Sequence, residues 1–133
     1  MKSDAEVLAE LERAAKGLLF MSESDYPFET VYWKELPEVT PEFLRGLTGH
    51  AADASVRTVS VDEFLRVAMS EEDWRAPSSR LEAKKYRELA RVLKENLADL
   101  KVYRVGEINI PVYLVGRNGT GNWLGLATRV VET

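Results

Sequence analysis

The side chains in this sequence with the most to offer chemically are carboxylates in polar segments. Glu23 stands among Ser22, Ser24 and Asp25, in a run closed by Tyr26 and Pro27 that has the composition of a surface loop. A glutamate held there offers oxygen to a hard divalent cation, and beside a second carboxylate it could share acid and base work. The sequence brings no second carboxylate to it, and such loops commonly serve only as connections. Trp74 follows Glu71, Glu72 and Asp73; its indole either packs beneath the loop or anchors an interface, where tryptophan is enriched. The sequence ends Val130, Val131, Glu132, Thr133 directly after a strand pattern. A carboxylate that close to an ordered strand is fixed in space, unlike one at the end of a loose tail.

Other chemistries find little support. His50, the sole histidine, follows Gly49 with no second histidine to complete a metal site. Loop packing therefore outweighs catalysis as its role. Cysteine is absent, which excludes a disulfide frame, a thiolate metal site and a cysteine nucleophile, and fits a reducing compartment. Gly119 and Gly121 lack the spacing of a phosphate-cradling loop and suit a hairpin turn at residues 117–122. The expectation is a binding protein without a cofactor, not an enzyme. With 22 acidic and 18 basic residues the net charge is −4, which disfavours direct nucleic-acid binding and suits a basic partner, since phosphates require concentrated positive charge. Asp4, Glu6 and Glu10 break any signal-peptide layout, and no apolar run approaches membrane-spanning length. A cytoplasmic protein with no membrane partner is expected.

Positioning these residues requires a fold. The 133 residues, 45% hydrophobic and 30% charged, have the length and composition of a single domain over 1–133. Val7, Leu8, Leu11, Ala14 and Ala15 recur at helical spacing within residues 4–16, with Ser3 or Asp4 as cap and Gly17 as stop. Residues 28–33 and 56–59 are strand candidates. Thr40 followed by Pro41 starts a short helix, and Ser60 with Glu63 has capping-box spacing for another. The longest helix is predicted over residues 79–97, with Tyr86, Leu89, Ala90, Leu93 and Leu97 as its buried stripe. Its face bearing Lys84, Lys85, Arg87, Arg91 and Lys94 also carries Glu82, Glu88 and Glu95, as a solvated face would. Strands at 102–105, 112–115 and 124–131 follow in meander order. This pattern predicts an α+β domain with a sheet between helical layers.

Several stretches are similar to the nuclease A inhibitor family: residues 17–29, the triplet Thr48, Gly49, His50, the pair Asp73 and Trp74, residues 102–107, and residues 130–133. They keep order and spacing along nearly the whole chain, while residues 34–43, 76–85 and 118–122 depart from the pattern. The resemblance implies an αβα sandwich like that of the plant pathogenesis-related proteins. It implies an inhibitor of a sugar-nonspecific, magnesium-dependent ββα-metal nuclease, monomeric when free, with Glu23 directed at the nuclease-bound metal. It carries the other principal contacts onto Trp74 and Thr133, with Ser22, Ser24 and Asp25 flanking the glutamate. The alternative is an interaction or immunity-type module on the same fold with a different target.

Overall fold

A computed structural model describes residues 2–21, 25–51, 53–69 and 77–132. The first helix, α1 (Asp4–Ala15), begins at Ser3 with a capping box: Ser3 Oγ accepts from Glu6 N at 3.1 Å and Glu6 Oε1 accepts from Ser3 N at 3.3 Å. Val7, Leu11 and Ala15 form its buried face. Two short strands follow, β1 (Leu19–Met21) and β2 (Asp25–Pro27), paired antiparallel with Phe20 opposite Tyr26. Asp25, Tyr26 and Pro27, expected in the loop, thus belong to a strand. Strands this short carry no readable alternation, and the polar composition of the connection masks where pairing starts.

Next come β3 (Glu29–Trp33), α2 (Pro41–Thr48), β4 (Val56–Val59), α3 (Val61–Met69) and α4 (Pro77–Asn96). Thr40 Oγ1 caps α2 by accepting from Phe43 N at 3.1 Å, and Gly49 closes it in the left-handed region at φ 75°. Ser60 Oγ accepts from Glu63 N at 3.0 Å at the start of α3. The meander is β5 (Ala98–Val105), β6 (Asn109–Arg117) and β7 (Trp123–Val131). Pro111, expected to precede its second strand, lies within it. The five-stranded sheet runs in the order β3-β7-β6-β5-β4, with every neighbouring pair antiparallel.

Strand alternation divides the core into two parts on opposite faces of this sheet. Val102, Ile110, Val112, Leu114, Leu124, Leu126 and Val130 pack with Val7 and Leu11 of α1, Leu65 of α3 and Leu89 and Leu93 of α4. Tyr103, Val105, Val115 and Trp123 pack with Leu44 of α2 and Val39. Gly125 is required by close strand approach, since a Cβ there would lie 1.9 Å from Leu114 O. The predicted α4 stripe is the observed one: Tyr86, Leu89, Ala90, Leu93 and Leu97 are all buried. On its outer face Arg91 pairs with Glu88 and Glu95, as expected of a solvated face. Among the described residues no helix is long and apolar enough to cross a membrane.

Candidate functional site

Antiparallel register places the end of β7 at Val131 beside the start of β6 at Asn109, and the end of β5 at Val105 beside the start of β4 at Val56. Backbone hydrogen bonds extend this edge beyond the strands. Glu132 N donates to Ile108 O at 3.0 Å, and Gly106 N donates to Ser55 O at 2.9 Å. The β1–β2 hairpin approaches the same edge. Glu29 pairs with Ala127, so the residues before it run alongside β7 toward Val131. Thr128 Oγ1 secures them by donating to Pro27 O at 3.0 Å, and the Arg129 guanidinium lies 5.9 Å from the centre of the Tyr26 ring. The far end of the hairpin is the Met21–Asp25 pair.

The helices α3 and α4 lead toward this region as well. α3 starts just after the Val59 end of β4, and α4 stops just before the Ala98 start of β5, at the opposite end of the sheet. Lys94 Nζ holds these two ends together, bonding both Asp62 carboxylate oxygens at 2.6 Å. The pair therefore runs back antiparallel from that end. Tyr86, midway along α4, already reaches the hairpin, where its hydroxyl donates to Leu19 O at 2.6 Å.

Within the Val131 edge, stretches far apart in sequence meet. His50 Nδ1 shares a hydrogen bond with Thr48 Oγ1 at 2.7 Å, and its Nε2 packs so closely on Gly106 that a Cβ there would lie 2.8 Å away. Gly106 turns at φ 88°, a conformation glycine adopts freely. This is the loop-packing role expected of the histidine. Arg104 crosses to the end of β7, where its Nη2 meets Glu132 Oε1 at 2.5 Å. The arginine side chain is only 16% exposed and its Nε has no hydrogen-bond partner, while the Glu132 side chain is 52% exposed. Sequence patterning gave no sign of this contact. Arg104 and Glu132 are both polar residues in strand surroundings, and only the sheet register brings them together.

Of the residues singled out by sequence, Asp25 is the first residue of β2. Ser22, Glu23, Ser24, Trp74 and Thr133 lie outside the described residues, as do Glu71, Glu72 and Asp73. The described neighbours of the first and last groups are Met21 and Asp25 on either side of 22–24, and Glu132 before 133. Met69 and Pro77 end the helices on either side of residues 70–76. Among the described residues no group of three or more histidines, aspartates or glutamates could hold a metal ion. A shallow depression of about 270 Å³ lies on this side of the sheet, between Tyr26, Glu29, Pro111, Tyr113 and Arg129. Its lining converges no acid and base pair.

Compared with known families, residues 5–133 match the model described as nuclease A inhibitor-like protein. A comparison with curated proteins finds no match.

Proposed function

Because the chain belongs to the nuclease A inhibitor-like family, a family of nuclease inhibitors, we propose that it blocks a sugar-nonspecific, magnesium-dependent ββα-metal nuclease by directing Glu23 at the catalytic metal. A hard divalent cation with open positions takes oxygen ligands, and a glutamate oxygen can occupy the place of a scissile phosphate oxygen. Trp74 adds central apolar burial to the interface, Thr133 a polar contact, and Ser22, Ser24 and Asp25 flank the glutamate. The metal belongs to the nuclease, and the inhibitor carries no cofactor of its own. In the same proposal the free protein is a cytoplasmic monomer, its sheet and helices layered like those of the plant pathogenesis-related proteins.

The observation that supports this reading is the common destination of the described chain on either side of these residues. The hairpin ends at Met21 and Asp25 near the Val131 edge, Glu132 leaves β7 there, and α3 and α4 run toward it. The edge is made of loops and strand ends rather than a pocket, as a protein-binding surface is.

The test compares wild type with Glu23→Gln as inhibitors of a magnesium-dependent ββα nuclease. Losing a ligand to a buried cation is expected to weaken binding by about 3–5 kcal/mol, whereas a rim contact would cost little. Near-wild-type inhibition by the glutamine variant would sink the metal-directed mechanism. A folded wild type that inhibits no such nuclease would point to a different target for the same fold.

A further inference from the structure

The last residues of β7 have a traceable anchor. Arg104 stands opposite Val112 on β6, and Val112 opposite Thr128 on β7. The arginine therefore reaches diagonally along the sheet, past residues 129–131, to bond Glu132 Oε1 at 2.5 Å. Glu132 is held from its backbone as well, through its N–H on Ile108 O.

The two partners are unequally exposed, the arginine 16% and the glutamate 52%. An exposed ion pair contributes little, because water and salt serve either partner nearly as well. A guanidinium most of whose surface is withdrawn from water is different. Its desolvation is offset only by partners the protein supplies, and here the Nε already has none. Chain conformations that carry Glu132 away would leave Arg104 poorly compensated and are disfavoured. The bond consequently restricts the direction in which the chain leaves β7.

We propose that Arg104 is a positioning residue for the nuclease-contacting surface: through Glu132 it fixes the end of β7 so that Thr133 is presented in one orientation. This inference rests on the proposed inhibitor function, in which Thr133 is a contact. Arg104 itself need not touch the nuclease.

The experiment uses Arg104→Met, which keeps the apolar stem and removes the charge, Arg104→Lys, and Glu132→Gln. Two readouts are followed: the 15N heteronuclear NOE of the Glu132 and Thr133 amides in the free protein, and nuclease inhibition. The methionine variant is expected to lower both NOE values and weaken inhibition by about five- to tenfold, with partial recovery in the lysine variant. In a Thr133→Ala background the same substitution should change inhibition by less than about twofold, because the contact it orients is already gone. In a Glu23→Gln background the original factor should persist. Unchanged NOE values in Arg104→Met would overturn the proposal, as would wild-type inhibition or a loss that is undiminished in Thr133→Ala. Should Arg104→Met fail to fold, Glu132→Gln breaks the bond from its exposed side and is judged by the same outcomes. If the wild type inhibits no nuclease, the functional reading fails, and the NOE comparison alone decides whether Arg104 orders the end of the chain.

Discussion

Asp4 shows how much structural work one carboxylate does in this protein. Its oxygens accept from Asn118 Nδ2, Thr120 Oγ1, Asn122 Nδ2 and the Tyr32 hydroxyl at 2.7–2.9 Å, which ties the first turn of α1 to the β6–β7 turn and to β3. Burial favours the protonated acid, but the hydrogen bonds, that from Asn122 first, outweigh it and lower the pKa from 3.8 to about 2. A carboxylate depressed in the folded state contributes stability that is complete above 3.8 and is lost as pH falls toward about 2. Asp4→Asn turns two acceptor positions into one acceptor and one donor, facing partners that mostly donate. At neutral pH it is expected to cost about 1–2 kcal/mol, a lowering of Tm by about 3–6 °C. The difference in Tm from wild type should shrink as pH is lowered from 4 toward 2. The Tyr32 hydroxyl supplies an independent check: its pKa is raised above 10.0, first by donating to Asp4 and then by burial. Its titration, followed by ultraviolet absorbance, should move down in the asparagine variant. An unshifted Tyr32 with an unchanged acid profile would mean that the Asp4 network is not formed in solution.

The hairpin of β1 and β2 is the element on which the proposed inhibitory carboxylate depends, and its attachment to the sheet is narrow. Thr128 Oγ1 reaches Pro27 O at 3.0 Å and Tyr26 O at 3.4 Å. Thr128→Val keeps the volume and the strand preference of the threonine while deleting both bonds. We expect it to weaken nuclease inhibition by about tenfold, because the glutamate must be held within a fraction of an ångström of its productive position. Global stability should fall by only about 1 kcal/mol. Equal losses in a Glu23→Gln background would show that the threonine acts elsewhere. Elements of this kind are where sequence reading was weakest. Thr40 with Pro41, and the Tyr86, Leu89, Leu93 stripe, are local signals, written within one or two turns of chain, and α2 and the buried face of α4 followed from them. The early part of β5 was missed because Asp99, at φ 53°, and a register shift between Ala98 and Lys101 break the alternation a strand should show. The first turn of α4 was placed at Ser79 instead of Pro77 because Pro77 was taken as part of the preceding turn, whereas proline is well suited to a helix start. At the site, residue types were legible and assembly was not. That Gly106 meets His50, and Arg104 meets Glu132, depends on how strands far apart in sequence are ordered.

At the scale of the whole molecule, charge distinguishes an inhibitor of nucleases from a protein that shares their substrate. The chain has a net charge of −4, and its cations on α4 are largely engaged: Arg91 with Glu88 and Glu95, Lys94 with Asp62. A surface of this balance offers no concentrated positive track for phosphates. A nuclease that cuts polyanions must present a basic groove, so the two proteins attract each other over distances of a Debye length before any contact forms. Association should consequently be steered. We expect the rate constant for nuclease binding to fall by about tenfold between roughly 20 and 200 mM monovalent salt, while dissociation changes far less, because the short-range contacts are shielded from ions once formed. Stopped-flow inhibition kinetics read both constants. Charge reversal at Glu71 and Glu72, beside Trp74, should flatten the salt dependence of association and leave the effect of Glu23→Gln on dissociation intact, since steering and metal ligation act at different stages of binding. If the association rate is insensitive to salt in the wild type, the acidic segments do not meet a basic groove, and recognition must rest on shape and apolar contact instead.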